Sequence, residues 1–248
     1  MAAAVLGACG GGGSSDAGDT TSSTTHKART NVTVPTSGSS TTAPAALPAG
    51  TTYVATALRA KVPVYAEKRG SSPKVTLANP TENGGPLVFL AEQRSADWIE
   101  VLLPIRPNGS TGWVRASDVK LATNPYSVDI ALGAHRLVVH KGGEVIADDS
   151  IGVGTQSTPT PGGKYYIKEL LKPTNPGGAY GPYAYGLSGF SNVLDDFNGG
   201  DGVIGIHGTN DPSTIGRDVS HGCIRLTNAN ITKLVQVLPL GTPVHISA

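Results

Sequence analysis

Cysteine, aromatic residues and net charge are all scarce in this sequence. Of its 248 residues only two are cysteines, three are phenylalanines and two are tryptophans. The sequence has 19 lysine and arginine residues and 18 acidic residues. Because the basic residues form no stripe, nucleic acid is not expected as a partner. No apolar run reaches the roughly 18 residues needed to span a bilayer. Glycine and proline are plentiful, at 33 and 18 residues, and short valine and isoleucine runs accompany them, which favours a mainly β protein with many turns.

The N-terminus carries the one hint of a membrane attachment. Met1 to Ala8 is small and apolar, and Leu6-Gly7-Ala8-Cys9 resembles the cleavage box of bacterial lipoproteins. That resemblance implies lipidation of Cys9 and a place in the bacterial cell envelope, outside the cytoplasm. Because the basic start and most of the apolar stretch of a signal peptide are missing, residues 1–9 are interpreted as a truncated lipoprotein signal. The alternative is a disordered tail with an accidental cysteine.

Residues 10–50 are of low complexity and consist mainly of glycine, serine, threonine, alanine and proline. Such a segment cannot bury enough apolar surface to offset the entropy of ordering it, so it is predicted to be a disordered linker. A flexible coil of this length averages about 35–40 Å from end to end. If Cys9 carries lipid, the linker holds the folded part away from the membrane. The alternative is an extension without a spacing role.

Residues 51–122 predict a small β domain. Short β-type runs alternate with glycine, proline and asparagine turns, and the segment closes with a strand at Trp98, a turn, and Gly112-Trp113-Val114. This pattern resembles the bacterial SH3-like barrel, whose members often bind peptides or cell-wall polymers. The alternative function for the two tryptophans is core packing.

Residues 124–248 predict a second, mainly β domain. Val203 to Ile206 forms a short buried strand that ends at His207, and alternating runs before it predict further strands. One helix is predicted from about Ala229 to Leu238, with Asn228 as its cap. The Pro/Gly-rich segment from Lys172 to Gly202 is predicted to be a long loop whose aromatic residues line a groove or pin the loop down.

Cys223 is the candidate nucleophile. An unpaired cysteine in an exported protein becomes reactive through an adjacent base or cation, and His207 and His221 lie near it in the sequence. Gly222 permits a tight turn, whose backbone amides could form an oxyanion hole. Arg225 could hold a substrate carboxylate in a forked hydrogen bond.

Three other interpretations compete with a cysteine nucleophile. Cys223 could be a buried core residue. His207, His221 and Cys223 could be zinc ligands, although no Cys-x-x-Cys or His-x-x-x-His spacing supports this. A serine hydrolase is disfavoured, because Gly186-Leu187-Ser188-Gly189-Phe190 lacks the final glycine of a nucleophile elbow.

Two longer motifs carry a family resemblance. His-Gly-Thr-Asn-x-Pro-x-x-Ile-Gly from His207, followed by Ser-His-Gly-Cys-Ile-Arg-Leu from Ser220, resembles the signature of the L,D-transpeptidase catalytic domain, also called the YkuD domain. Thr158 to Gly163 is similar to an earlier Thr-Pro-x-Gly segment of that family, with one extra residue. The resemblance covers nearly all of Tyr126 to Ala248. Together with the SH3-like resemblance of residues 51–122, the expected fold is mainly β, an SH3-like barrel followed by an L,D-transpeptidase β-sandwich with one notable helix.

The resemblance also implies roles for the motif residues. Cys223 would be the nucleophile, His207 the base, and the backbone carbonyl of Gly208 the third member of the triad. Arg225 matches a family variant, since other members carry asparagine there. The residues implied to shape the oxyanion or substrate site are Gly208, Ser220, His221, Gly222 and Arg225.

The implied reaction is acyl transfer in peptidoglycan. A tetrapeptide stem would lose its terminal D-alanine to Cys223, and an amine of a diamino acid in a second stem would take the acyl group, with no metal or other cofactor. With water in place of the amine, the same site would be an L,D-carboxypeptidase. A third alternative is an inactive wall-binding module. The family also implies covalent inhibition by β-lactams, notably carbapenems.

Overall fold

The computed structural model describes residues 47–195 and 201–248. The predicted signal at residues 1–9 with its Cys9, and residues 10–46 of the predicted linker, lie outside the described residues. Residues 45–248 form one compact unit. In the described part of this unit, no helix is long and apolar enough to cross a membrane. The mainly β fold class with one α-helix is confirmed.

The N-terminal part of the unit contains seven strands. They are β1 Thr52–Ala57, β2 Lys61–Val64, β3 Val75–Ala78, β4 Val88–Arg94, β5 Trp98–Leu102, β6 Thr111–Arg115 and β7 Val119–Asn124. Five of them form an antiparallel sheet in the order β6-β5-β4-β1-β7, and β2 and β3 pair as a hairpin. A 3₁₀ turn at Ala116–Asp118 leads into β7.

Alternating apolar residues explain this N-terminal sheet. In β6, Gly112 and Val114 are buried while their neighbours on the strand are more exposed, and β5 contributes the buried Ile99 and Val101 to the same core. Trp98 is buried and meets Tyr65 edge to face, at 5.2 Å between ring centroids. The Arg115 guanidinium also lies over the Trp98 ring, 4.8 Å from its centroid, so aromatic and cation–π contacts hold this side chain.

The C-terminal part contains ten strands and the α-helix. The strands are β8 Tyr126–Ala131, β9 Arg136–Lys141, β10 Glu144–Ser150, β11 Val153–Gly154, β12 Gly163–Leu171, β13 Ala184–Phe190, β14 Val203–His207, β15 Asp218–Ser220, β16 Ile224–Arg225 and β17 Pro243–Ser247. The helix, α1, spans Asn228–Leu234, and a 3₁₀ turn spans Pro212–Thr214.

Eight strands form one C-terminal sheet in the order β10-β9-β8-β17-β12-β13-β14-β16. The pairs β8–β17 and β14–β16 are parallel and the other neighbours are antiparallel. A core of isoleucine, leucine, valine and tyrosine side chains packs this sheet against α1, through Ile231 and Leu234. The short strands β11 and β15 pair separately, and Ser220 is the last residue of β15.

Three local predictions are wrong. Thr227, and not Asn228, caps the helix: its Oγ1 accepts the amide of Asn230 at 3.2 Å, while Asn228 is the first helical residue and its side chain faces another loop. The helix also stops at Leu234, because the chain continues in turns rather than in further helix to Leu238. The predicted loop from Lys172 to Gly202 contains β13, a central strand buried along most of its length.

The two sheets share an apolar junction. Tyr166 of β12 is fully buried against Val54, Val88, Leu90 and Leu102 of the N-terminal part. Burial of so large a side chain contributes on the order of 2–3 kcal/mol to keeping the sheets together. The N-terminal part is therefore packed directly against a strand next to the candidate site.

Polar contacts reinforce this junction. Arg106 donates to the backbone carbonyls of Ser191 and Leu194 at 2.8 and 3.0 Å. Asn108 exchanges two hydrogen bonds with the backbone of Phe190. These contacts fix the segment that follows β13 to the N-terminal part.

Candidate active site

The parallel pair β14–β16 brings the predicted nucleophile and base together. His207 is the last residue of β14 and is in register with Arg225, and Cys223 immediately precedes β16. The Cys223 sulfur lies over Gly205, 3.9 Å from the position that a Cβ would take there. Cys223 and His207 both line one cavity of about 530 Å³, which we call the larger chamber.

The imidazole of His207 is buried and held by the next residue. Its Nδ1 lies 2.5 Å from the carbonyl oxygen of Gly208. A carbonyl can only accept, so Nδ1 carries the hydrogen and Nε2 is the nitrogen left to take a proton. Burial lowers the pKa of His207 from 6.5 to about 4, and the charge of Arg225 adds to this, while the bond to Gly208 opposes it. The imidazole is therefore neutral at neutral pH.

The thiol of Cys223 is also held in its neutral form. Burial raises the pKa of Cys223, against a backbone hydrogen bond from Gly205 and the positive charge of Arg225, which both favour the thiolate. A raised thiol pKa beside a lowered imidazole pKa means that the resting pair is thiol and imidazole. Nucleophilic attack from this state requires the proton to leave sulfur as the new bond forms.

A turn built by Ser220 delivers Cys223 to the end of β14. The hydroxyl of Ser220 donates to the carbonyl oxygen of Cys223 at 2.6 Å and accepts the amide of Gly222 at 3.1 Å. Gly222 has φ +113°, a conformation that favours glycine, and a Cβ there would lie 3.2 Å from Ile204. The Ser220 hydroxyl thus fixes the backbone of both Gly222 and Cys223.

Arg225 and His221 border a second, smaller chamber of about 110 Å³. Its walls also include Tyr180 and Ser220, and it shares Cys223 and His207 with the larger chamber. The backbone of Arg225 is fixed by two hydrogen bonds with Gly152, at 2.8 and 2.9 Å. Its Nε is buried and has no hydrogen-bond partner among the described residues. A buried donor without a partner is costly, so this nitrogen is available for a bound carboxylate.

Some aromatic residues of the predicted loop line the site, and others pin the segment to the core. Tyr180 lines both chambers, and its ring meets that of His207 at 4.8 Å between centroids. Tyr185 instead is buried in the core and donates to the carbonyls of Leu234 and Leu238. Phe190 is buried as well.

Sequence patterns did not predict two further contributors to the site. Asn228 Oδ1 accepts the amide of Thr209 at 2.9 Å and so holds the loop that follows His207. Glu169 of β12 and Asn83 of the N-terminal part line the larger chamber and are joined by a hydrogen bond of 2.7 Å. Because the Asn83 contact joins residues that are distant in the chain, no local sequence motif predicts it.

The zinc hypothesis for His207, His221 and Cys223 finds no support in the geometry. Across residues 47–195 and 201–248, no three histidine, cysteine, aspartate or glutamate side chains are placed to share a metal ion.

Cys223 thus follows a tight turn and lies beside a buried histidine, whose ring is oriented by the carbonyl of the next residue. This arrangement is typical of a site for acyl transfer to cysteine. Comparison with known proteins gives the family. The family model described as the L,D-transpeptidase catalytic domain, YkuD, matches residues 125–246. The YkuD protein of Bacillus subtilis is 37% identical over 125 residues, which cover 50% of this chain and 68% of that protein. The chain therefore belongs to the YkuD family of L,D-transpeptidase catalytic domains.

Further relatives and solved structures are similar to half of the chain or more. The YkuD protein of Bacillus licheniformis is 35% identical over 125 residues, covering 50% of this chain and 67% of that one. An L,D-transpeptidase structure from Mycobacterium smegmatis matches 66% of this chain and 90% of its own, at 16% identity and a TM-score of 0.41. The avibactam carbamoyl enzyme of Ldtfm matches at 25% identity and a TM-score of 0.37, and this chain spans about half of its length.

Proposed function

We propose that this protein is a peptidoglycan L,D-transpeptidase in which Cys223 is the nucleophile and His207 the general base. The observation that carries the proposal is the orientation of the His207 ring. Its Nδ1–H is committed to the Gly208 carbonyl, so a single basic nitrogen remains, and the ring borders the same cavity as the Cys223 sulfur. Family membership supports the assignment.

The first half-reaction acylates the cysteine. The sulfur of Cys223 bonds to the carbonyl carbon of the third residue of a tetrapeptide stem, while its proton moves to Nε2 of His207. The Gly222 amide is bound to Ser220, so the oxyanion is stabilised by the remaining backbone amides of this turn. The intermediate then collapses, the bond to the terminal D-alanine breaks, and the leaving amine takes the proton from Nε2. A thioester on Cys223 remains.

The second half-reaction returns the enzyme to its starting state. The side-chain amine of a diamino acid in another stem attacks the thioester and gives a proton to Nε2. The sulfur leaves and recovers that proton, and a crosslink has formed. If water attacks instead, the product is a free tripeptide and the activity is that of an L,D-carboxypeptidase.

Arg225 is suited to bind the terminal carboxylate of the donor stem. Its Nε is buried without a partner among the described residues, and the Arg225 side chain borders the smaller chamber next to Cys223. A guanidinium forms short, directional hydrogen bonds with a carboxylate. The leaving D-alanine would then occupy the smaller chamber, and the acyl part of the stem the larger one.

The remaining proposals concern location, the N-terminal part and inhibitors. We place the protein in the bacterial cell envelope, with lipid on Cys9 and residues 10–50 as a tether. The β domain at residues 51–122 is proposed to be SH3-like and to bind the wall, while residues 124–248 carry the catalysis. The thiol of Cys223 should also open β-lactam rings and retain carbapenems as covalent adducts.

The test is mass analysis of the peptidoglycan fragments that the purified protein produces from a disaccharide tetrapeptide. Loss of one D-alanine with formation of dimers supports transpeptidation, and loss without dimers supports the carboxypeptidase. A carbapenem adduct on the wild type but not on Cys223→Ala assigns the sulfur. If no fragment changes, no adduct forms and the Cys223→Ala variant still binds peptidoglycan, the protein is a wall-binding module.

A further inference from the structure

The two chambers that meet at Cys223 differ in size and in charge. The smaller one presents the cationic Arg225, and the larger one contains the carboxylate of Glu169. A transpeptidase divides its donor at the sulfur, with the leaving amino acid on one side and the acyl part on the other. Because the incoming amine replaces the leaving amine, both amines use the same side. With the leaving amino acid assigned to the smaller chamber through Arg225, the acyl part of the donor is assigned to the larger chamber.

The floor of the larger chamber is a pair of glycines between Glu169 and Cys223. Glu169 of β12 is in register with Gly186 of β13, and Gly186 with Gly205 of β14. Residues in register share a face of the sheet, so Glu169 and the two glycines form one row across three strands. The Cys223 sulfur lies over the Gly205 end of that row.

Because Gly186 and Gly205 carry no side chains, this row forms a trough, which the Glu169 carboxylate fills at its Gly186 end. A Cβ at Gly186 would lie 2.5 Å from Oε1 of Glu169, so the carboxylate occupies space above Gly186 that any other residue would take. Neighbouring strands are about 4.8 Å apart, so the carboxylate lies about one strand spacing from the strand beneath the sulfur. That is within reach of a long side chain whose backbone carbonyl has reacted with Cys223.

Glu169 is buried yet placed on the chamber wall. The residue is 8% exposed, and its Oε2 accepts the side-chain amide of Asn83 at 2.7 Å. Lys168 Nζ lies 3.4 Å from Oε1, and both residues also line a neighbouring cavity. The other charged residues of the larger chamber are Asp201 and Lys172, both exposed. Among the carboxylates of this chamber, Glu169 is thus the one fixed in a buried position.

We propose that Glu169, positioned by Asn83, selects donors whose acylating residue carries a positively charged amine on its side chain. The inference rests on the proposed function, because the acylating residue is the diamino acid at the third position of the stem. Its methylene chain would lie along the glycine trough and its ammonium would meet Oε1 of Glu169. Because Asn83 belongs to the N-terminal part, that part contributes to donor selection as well as to the fold.

The experiment compares two tetrapeptide donors that differ by one charge. Their third residue is a lysine-type diamino acid, with its side-chain amine either free or acetylated, and D-alanine release gives kcat/KM for each. We expect the wild type to prefer the free amine about tenfold or more, as a charge-assisted hydrogen bond implies. The isosteric variant Glu169→Gln should bring the two values within about twofold of each other.

Two further variants keep the result interpretable. Glu82→Gln also removes one negative charge, at an exposed side chain that precedes Asn83 and lines the neighbouring cavity. This variant should retain the wild-type preference for the donor with the free amine. Asn83→Ala removes the amide that fixes Glu169 and should give an intermediate preference, even if Glu169→Gln does not fold. Equal kcat/KM values for both donors with the wild type, or an undiminished preference in Glu169→Gln, would overturn the inference. Absence of D-alanine release from both donors would overturn the proposed function itself and the inference with it.

Discussion

The ring of Tyr180 stands edge-on to the imidazole of His207, with 4.8 Å between centroids and 61° between the ring planes. Tyr180 is 39% exposed, so it lies between solvent and the buried histidine. The same ring borders both chambers. Tyr180 therefore affects both access to the site and the pKa of His207, the proposed base.

Removing this ring should make His207 more basic. In Tyr180→Ala water reaches the imidazole, and the burial that lowers its pKa is relieved. The acidic limb of the acylation rate should therefore move from about pH 4 towards the ordinary histidine value of 6.5. Stopped-flow acylation by a carbapenem between pH 3.5 and 8 measures the shift. Tyr180→Phe keeps the ring and should keep the limb, and an unmoved limb in Tyr180→Ala would show that the ring does not control the pKa.

The lowered pKa of His207 also predicts a pH-dependent stability. The unfolded chain binds a proton at His207 near pH 6.5, whereas the folded protein binds it only near pH 4. The neutral, buried His207 therefore makes its full contribution to the free energy of unfolding above pH 6.5. This contribution, about 3 kcal/mol in total, is lost as the pH falls through 4. Urea unfolding of the wild type and His207→Gln at several pH values isolates this contribution. Parallel curves for the two proteins would contradict the assignment.

Two buried tyrosines, one with and one without a hydrogen-bond partner, show what such a bond contributes to stability. The hydroxyl of Tyr166 has no hydrogen-bond partner among the described residues, whereas that of Tyr185 donates to two backbone carbonyls. Burial raises the pKa of both phenols, so both stay neutral. Tyr166→Phe should raise the free energy of unfolding by about 1 kcal/mol, and Tyr185→Phe should lower it by about 1–2 kcal/mol. Chemical denaturation measures both, and a destabilised Tyr166→Phe would imply a partner for its hydroxyl.

The glycine before the nucleophile should be required for catalysis beyond its effect on folding. Alanine at Gly222 would strain a φ of +113° and press on Ile204, which displaces the adjacent sulfur. A displacement of about 1 Å can slow acylation about 100-fold. Gly216→Ala carries comparable strain at φ +79°, but its Cβ would meet nothing within 4 Å, so acylation should be retained. Equal acylation rates in the two variants would count against this role for Gly222.

How much of the site the sequence could predict depends on how local each interaction is. The turn from Ser220 to Cys223 and the strand ending at His207 are recognisable because their chemistry lies within short motifs. β13 was missed because glycine and serine interrupt its apolar pattern, although it is buried between β12 and β14. One of those glycines, Gly186, lies in the chamber floor, and a loop prediction from the glycines alone was wrong.

Contacts between distant segments account for the other gaps. Asn83 reaches Glu169 only because Tyr166 and its partners pack the N-terminal sheet against β12. The cap of α1 was placed one residue late, since Asn228 is a good cap by type but is used to hold Thr209. In both cases tertiary packing decides what a residue does, and residue type alone does not.

The acylation rate of His207→Ala tests the central claim most directly, because that claim assigns proton removal from Cys223 to one buried, neutral imidazole. A carbapenem is mixed with the wild type and with the variant at pH 4–8, and formation of the Cys223 adduct is followed by mass spectrometry. The wild-type rate should rise with an apparent pKa of about 4 and then stay level to pH 8. At the plateau the variant should be slower by about 10²–10⁴. A variant that acylates as fast as the wild type would contradict the account.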